Sequence, residues 1–214
     1  VRDCAALIAI GVRRDDSKRM ILDVSCSLSE AEPHWRDFIH SLKQRGSGIP
    51  DSVTSDAHEG LKAALRATLN ASPWQRCQFH LQQNAQAYVP SLAMRAGVAR
   101  DIRSVFDSSD LPQAEARLAE IVEKYQKLAP KLASWLEGNL IEGLTVFKLP
   151  EHFRRRLRTS NMCERVNREI KRRTRVAGLF PNESSVLSLL IAILMETSDE
   201  WETGRACFSD PSQS

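Results

Sequence analysis

Hydrophobic residues follow two different spacings in this chain, and the change between them falls near residue 80. Residues 4–12 (CAALIAIGV) and 20–26 (MILDVSC) are short runs rich in Ile, Val and Leu, which is typical of strands. The charged segment RRDDSK separates them, so the two runs predict a hairpin. From residue 81 to 150 the apolar residues instead recur at i, i+3, i+4 and i+7, which predicts helices. The two patterns together predict an α/β fold that carries an all-α insertion.

Further elements follow the hairpin. The segment EAEPHWRDFIHSLKQRG predicts a helix that Gly46 ends. A short strand over 52–55, a helix after Asp56 and a strand over 74–80 come next. Because the order is β-β-α-β-α-β, we expect a mixed sheet with flanking helices rather than a helical bundle. Helices over 161–175 and 182–203 complete the prediction.

The same boundaries divide the chain into regions. At 214 residues, with 42% hydrophobic and 27% charged residues, it can bury a normal core. We expect 1–80 to form the first part of that core and 81–150 a helical insertion. Residues 151–206 are expected to complete the core, and 207–214 to form a tail.

Cysteine content and hydropathy bear on the compartment. The five cysteines are odd in number and irregularly spaced, which does not predict a disulfide framework and fits a reducing cytoplasm: Cys4, Cys26, Cys77, Cys163 and Cys207. The longest apolar run, 186–195, is too short to span a bilayer and predicts a buried helix. We therefore expect a cytoplasmic protein with no membrane partner.

Positive charge is concentrated in residues 152–175, which contain ten Lys/Arg and two Glu in a chain of net charge +3. Such clustering is expected of a surface that binds a polyanion, since neutralising phosphates releases condensed counterions. The alternative is a basic helix that is merely solvated or serves as a localisation signal. The cations that we predict to contact phosphates are Arg154, Arg155, Arg156, Arg168, Lys171, Arg172 and Arg175.

Two acidic residues stand where chemistry is possible. Asp56 directly follows a predicted strand, and open α/β sheets present functional groups at the carboxyl ends of their strands. The alternative is that Asp56 caps the next helix, which aspartate does well. Glu164 lies within the basic helix, on the side opposite Val166 and Ile170. A carboxylate there weakens DNA binding unless a divalent ion lies between it and the phosphate; the alternative is an i,i+4 pair with Arg168.

Cys77 and His80 form a C-x-x-H pair. A structural zinc site needs four ligands at paired spacings, and no second compact Cys/His pair follows. The alternative is a buried Cys and a hydrogen-bonded His at a strand end. No Gly-rich phosphate loop or local nucleophile motif occurs either.

Three stretches, in this order, resemble the Mutator-type family of bacterial insertion-sequence transposases. They are SDAHEGLKAAL, CQFHLQQNA, and TSNMCERVNREIKRRTRVAGLFPNESSVLSLL with DEW at 199–201. The resemblance implies a ribonuclease H-like fold with three catalytic acids, Asp, Asp and Glu, and a helical insertion before the Glu. Asp56 matches the second Asp and Glu164 the Glu. The remaining motif positions are Cys77, His80, Asn161, Arg165 and Asn167.

The resemblance also implies the reaction and its partners. Metal-dependent DNA cleavage and strand transfer at insertion-sequence ends would use two Mg²⁺ or Mn²⁺ ions, which in such sites lie about 3.5–4 Å apart, so we expect Asp56 and Glu164 to lie close together and bind them. DNA, at the element's ends and at the target, is the expected partner, and the complete enzyme is expected to be a homo-oligomer.

The family's first Asp lies on a strand before the hairpin, and neither Asp3 nor Asp23 stands in its motif. This sequence starts after that strand and after the family's N-terminal DNA-binding region, so we expect the 214 residues alone to be inactive. Two alternatives stay open. One is a catalytically inactive DNA-binding remnant of a transposase gene. The other is a generic ribonuclease H-like nuclease, which the insertion and the basic helix disfavour.

Overall fold

A computed structural model describes residues 4–177, 180–204 and 206–208, and within these ranges the protein is α/β with more helix than strand. The strands are β1 (Ala5–Val12), β2 (Arg19–Ser27), β3 (Val53–Ser55) and β4 (Trp74–Arg76). The helices are α1 (Glu32–Gln44), α2 (Glu59–Thr68), α3 (Gln78–Ala85), α4 (Leu92–Phe106), α5 (Leu111–Leu128), α6 (Pro130–Asn139), α7 (Glu151–Leu157), α8 (Asn161–Ala177) and α9 (Glu183–Thr203). Short 3₁₀ turns lie at Gln86–Tyr88, Leu140–Gly143 and Thr145–Lys148.

The chain forms two compact units, each built from separated segments. The first unit contains residues 1–50, 57–71 and 161–214. The second contains 51–56 and 72–160. The regions expected from the sequence follow other boundaries, since the basic segment is shared: α7 belongs to the second unit and α8 to the first.

The first unit is built on the predicted hairpin. β1 pairs antiparallel with β2 from Ala5 opposite Ser27 to Val12 opposite Arg19, with a bulge between Ala9 and Ile10. Ile8, Ile10, Ile21 and Val24 of this hairpin pack on a buried cluster of α8 and α9 residues, which are Val166, Ile170, Leu190, Ile193 and Leu194. Apolar residues spaced three or four apart give each helix one buried stripe.

Helices α1 and α2 pack together in the same unit. Gly46 ends α1 as expected: it has φ +92, and the amide of Ser47 donates to Leu42 O, which satisfies carbonyls at the helix end. In α2, Gly60 lies so close to the backbone carbonyl of Glu30 that no Cβ would fit there. This glycine permits the close approach of α2 to the turn before α1.

The second unit contains the parallel pair and the helical block. β3 pairs with β4 in parallel, from Val53 opposite Trp74 to Ser55 opposite Arg76. Helices α3 to α6 and the following 3₁₀ turns enclose one core whose fully buried members include Leu81, Ile102 and Leu136. Pro112 and Pro130 lie in the first turns of α5 and α6, where the missing amide hydrogen costs nothing. No strand occurs among residues 81–150, as the sequence predicts.

Two expectations about strands are wrong. The strand expected over 74–80 ends at Arg76, because α3 begins at Gln78 and buries Leu81 and Ala85 at helical spacing. The amide of Gln78 accordingly bonds to Arg158 O and not to a strand. The single mixed sheet is also not found: the described residues form two separate two-stranded sheets, one antiparallel and one parallel. Each of β3 and β4 is only three residues long.

The expected tail also begins later than predicted. Cys207 and Phe208 are buried, and the amide of Cys207 donates to Ser17 O at 2.7 Å in the β1–β2 turn. These two residues therefore belong to the fold. The rest of the predicted tail, 209–214, lies outside the described residues.

Candidate catalytic residues and nucleic-acid interface

Asp56 lies at the carboxyl end of β3, directly after Ser55, and is exposed. The hydroxyl of Ser55 fixes this end by accepting from Trp74 Nε1 at 2.9 Å, and Ser55 O accepts from the Cys77 amide at 2.8 Å. In a parallel pair both carboxyl ends meet at one edge, so Asp56 and Cys77 follow their strands on the same side. The N-cap position of α2 is occupied by His58, two residues further on, and not by Asp56.

The last residue of α7 and the residues that follow it are hydrogen-bonded to this edge of the second unit. Thr54 Oγ1 donates to Leu157 O at 2.6 Å, and the Gln78 amide donates to Arg158 O at 2.9 Å. The Ser160 amide donates to Cys77 Sγ at 3.4 Å. These three bonds fix residues 157–160, and α8 begins directly after Ser160, with Glu164 the fourth residue beyond it.

The side chains of the C-x-x-H residues differ in their hydrogen bonding. Cys77 is fully buried, and its sulfur accepts the Ser160 bond described above. His80 Nδ1 is buried and has no hydrogen-bond partner within the described residues, so the expected hydrogen bond of this histidine is not made at that nitrogen. The Phe79 ring and the imidazole of His80 pack edge to face, with ring centroids 5.4 Å apart.

Helix α8, in the first unit, separates apolar and basic residues as its periodicity predicts. Val166 and Ile170 are buried, whereas Glu164 in the first turn is half-buried. The exposed polar positions are Asn161, Arg165, Asn167, Arg168, Lys171, Arg172 and Arg175. The exposed side of α8 therefore carries mostly cations.

A carboxylate clamp occupies one side of α8, and we use this name for Glu169, Arg172, Arg173 and Glu196. Arg172 donates to Glu169 from Nε (2.9 Å) and Nη2 (2.7 Å). Arg173 donates from Nε to Glu169 at 2.7 Å and contacts Glu196 of α9 through Nη2 at 2.6 Å. The hydrogen bonds from Arg172 and Arg173 lower the pKa of Glu169 to about 2. The bond from Arg173 likewise lowers the pKa of Glu196.

In the second unit, the arginines of α7 and Arg158 directly after it also differ, since some are held by hydrogen bonds and others are exposed. Arg154 donates to Leu149 O at 2.9 Å and to Ser109 O at 2.8 Å, and its guanidinium lies 5.6 Å from the Phe147 ring centroid. Arg158 donates to Asp107 at 2.9 Å. Arg155 and Arg156 are exposed. Arg154, which the sequence groups with the DNA contacts, therefore holds α7 against the loop between α4 and α5.

Comparison with known proteins decides the family. The sequence model described as "Transposase, Mutator family" matches residues 1–204. The chain belongs to the Mutator family of transposases. Among curated relatives, the transposase for insertion sequence element IS406 of Burkholderia multivorans is 48% identical over 203 residues, covering 95% of this chain and 52% of the relative.

Curated relatives of lower identity match this chain over a similar length. The transposase for ISRM5 of Rhizobium meliloti is 38% identical over 197 residues, 92% of this chain and 49% of the relative. The transposase for IS256 in transposon Tn4001 of Staphylococcus aureus is 31% identical, over 91% of this chain and 50% of the relative. The chain thus spans about half the length of the curated relatives it matches. None of its described helices is long and apolar enough to cross a membrane.

Proposed function

We propose that this chain is the catalytic core of a DDE-type transposase, which cleaves DNA at the ends of an insertion sequence and joins them to a target. The match to the Mutator family over residues 1–204 carries the proposal. The exposed position of Asp56 at the carboxyl end of a parallel strand supports it, because α/β proteins present their reactive groups there. Handling two ends in one reaction favours at least two copies of the protein.

The element order supports the ribonuclease H-like fold that the family resemblance implies. An antiparallel hairpin, β1–β2, is followed by α1, β3, α2 and β4, and β3 and β4 are parallel. Two-stranded sheets are marginal by themselves. In the proposed fold, the strand that the family places before the hairpin completes one sheet and carries the remaining catalytic Asp.

The residues present fit a divalent-ion site. Asp56 is exposed at a strand end, and Glu164 stands in the first turn of a helix whose exposed side is cationic. Carboxylate oxygens are the ligands that Mg²⁺ and Mn²⁺ prefer. A pair of such ions, when bound, would activate the attacking water or 3′-hydroxyl and stabilise the leaving oxygen. We propose that Asp56 and Glu164 are two of the three carboxylates that would hold this pair of ions.

The other residues of the proposed site bind and orient DNA. Arg155 and Arg156 of α7 and Arg168, Lys171 and Arg175 of α8 are exposed, so their charges are available to phosphates. Phosphate contacts fix where a duplex lies without reading its sequence. These cations would position the scissile phosphate, and the carboxylates would hold the divalent ions that activate the nucleophile and stabilise the leaving oxygen.

Transposition in a bacterial cell tests the proposal. The open reading frame that contains these 214 residues is expressed in full, with any coding sequence before or after them in the same frame. It is placed beside a plasmid on which the DNA flanking that frame encloses a resistance marker, and new insertions are counted by sequencing. We expect Asp56→Asn and Glu164→Gln each to reduce insertions to the level of cells without the protein. Asp37→Asn, which changes an exposed carboxylate on α1, is the matched control and should leave the frequency unchanged.

The possible outcomes distinguish an active transposase, an inactive DNA-binding remnant and an enzyme with a different catalytic Glu. Insertion by the unchanged protein that depends on both acids supports the proposal. No insertion by the unchanged protein contradicts it and favours an inactive DNA-binding remnant. Insertion that survives Glu164→Gln shows that another residue is the catalytic Glu.

A further inference from the structure

The basic side of α8 is not uniform, because one carboxylate holds two of its six cations. Glu169 accepts three hydrogen bonds, two from Arg172 and one from Arg173. Arg173 is held a second time by Glu196 at 2.6 Å. For Arg168, Lys171 and Arg175, the described residues provide no ion pair with an acidic side chain.

Helix geometry places Arg172 at the border of these two groups. At 100° per residue, Arg168, Lys171 and Arg175 lie within about 60° of one another, whereas Glu169 and Arg173 lie on roughly the other side. Arg172 lies between these two groups, and its hydrogen bonds to Glu169 turn its guanidinium toward the side of Glu169 and Arg173. A planar guanidinium that forms two bonds to a carboxylate uses the same donor fork that a phosphate would need.

We propose that Glu169 is a positioning residue for DNA binding by α8: it withholds Arg172 and Arg173 from phosphates and leaves Arg168, Lys171 and Arg175 as the contacting cations. The bond from Arg173 to Glu196 ties the same clamp to α9 and so fixes the side of α8 that faces outward. This inference rests on the proposed function, since it assumes that the exposed side of α8 binds DNA.

Salt dependence of DNA binding distinguishes the two kinds of arginine. The purified 214-residue chain is titrated with a duplex of unrelated sequence, and affinity is measured by fluorescence anisotropy over a range of salt concentrations. Each phosphate contact on duplex DNA contributes about 0.9 to the log–log salt slope. We expect Arg168→Gln to reduce the slope by about that amount and Arg172→Gln to leave it unchanged.

Release of the clamp should have the opposite effect. Glu169→Gln frees Arg172, so we expect tighter binding and a slope steeper by about 0.9. The double variant Glu169→Gln/Arg172→Gln should return to the slope of the unchanged protein. Glu196→Gln makes the same change of charge, yet it should leave the slope unchanged because Glu169 still holds Arg173. A purely structural role for Glu169 would not reproduce this pattern.

The outcomes identify which idea fails. If the unchanged chain shows no salt-dependent DNA binding, the proposed interface on α8 is wrong. If it binds and Arg168→Gln weakens binding, but Arg172→Gln does so equally, the role of Glu169 alone is wrong. The same holds if Glu169→Gln and Glu196→Gln give equal slopes. Circular dichroism checks the folding of each variant, and the comparison of Arg168 with Arg172 decides the question even if Glu169→Gln unfolds.

Discussion

Gln75 Oε1 accepts a hydrogen bond of 2.6 Å from the backbone amide of Val146, 71 residues further along the chain. The same side chain donates from Nε2 to Gly143 O at 2.8 Å and to Arg76 O at 2.7 Å. Gln75 is fully buried, so these bonds form without competition from water. They join β4 to the 3₁₀ turns that end the helical block of the second unit.

Loss of the side-chain amide of Gln75 should destabilise the second unit. Gln75→Leu keeps the bulk of the side chain but leaves the buried Val146 amide unsatisfied, which costs about 1–3 kcal/mol. Urea denaturation should show this decrease in the free energy of unfolding. Gln83→Leu, at an exposed position of α3, is the control and should change stability by no more than about 0.5 kcal/mol. Equal effects of the two substitutions would show that the buried bonds contribute nothing.

Two glycines in helices should respond in opposite directions. At Gly60 a methyl group would collide with the backbone carbonyl of Glu30, so Gly60→Ala should destabilise the protein by about 1–3 kcal/mol. At Gly97 in α4 nothing lies within 4 Å of the added carbon. Gly97→Ala should therefore stabilise the protein by about 1 kcal/mol, because alanine favours a helix. Thermal melts of both variants check the signs, and destabilisation by both would contradict the packing argument.

The sequence predicts those elements whose hydrophobic spacing is local. The hairpin, α1, α8 and α9 are found within one or two residues of their predicted limits, since each buries one continuous face. The strand predicted over 74–80 is found only over Trp74–Arg76, because α3 begins at Gln78 and buries Leu81 and Ala85 at helical spacing. Within the strand, Gln75 and Arg76 are buried polar residues with partners more than 60 residues away. Nothing in a local pattern reveals such partners.

Features of the candidate site likewise fall into those that follow from local sequence patterns and those that depend on distant contacts. The position of Asp56 at a strand end follows from the strand that precedes it, and the burial of Val166 follows from helical periodicity. Arg154 and Arg155 are adjacent and chemically identical, yet Arg154 bonds to Ser109 O, 45 residues away, and Arg155 is exposed. Clustering of charge in the sequence identifies a basic segment, but it does not distinguish cations that the fold holds from cations that are exposed.

The clamp on α8 predicts a dependence of stability on acid pH. The pKa of Glu169 is lowered from 4.5 to about 2 by bonds from Arg172 and Arg173. A group with a lowered pKa stabilises the fold fully above its unfolded value, and this contribution is lost as the pH falls toward the folded value. The difference in melting temperature between the unchanged protein and Glu169→Gln should thus be constant above about pH 5 and vanish near pH 2.

Thermal melts at low salt from pH 7 down to pH 2 measure this difference. Glu137→Gln, at an exposed position of α6, controls for the removal of a surface carboxylate elsewhere. A difference that stays constant down to pH 2 would show that Glu169 is not held by the two arginines in solution.

Substitutions of the α7 arginines should have different effects on DNA binding and on thermal stability. Arg155→Gln and Arg156→Gln each remove an exposed cation, so we expect weaker DNA binding, a salt slope lower by about 0.9 per contact and an unchanged melting temperature. Arg154→Gln removes two hydrogen bonds to backbone carbonyls and should cost about 1–2 kcal/mol of stability. Anisotropy titrations and thermal melts on the same preparations make the comparison. The assignment of Arg154 to stability rather than to DNA binding is wrong if Arg154→Gln lowers the salt slope without lowering the melting temperature.

The proposed sharing of a metal ion by Asp56 and Glu164 predicts non-additive losses of affinity. Asp56→Asn and Glu164→Gln should each weaken Mn²⁺ binding by at least about tenfold, the scale on which even outer contacts of metal ligands act. If both carboxylates hold the same ion, removing the second ligand costs less once the first is gone, because groups that act together do not contribute additively. Electron paramagnetic resonance of free Mn²⁺ measures the affinity of each single variant and of the double variant. Asp37→Asn on α1 should bind like the unchanged chain. Losses that simply add in the double variant would mean that Asp56 and Glu164 bind separate ions or none in common.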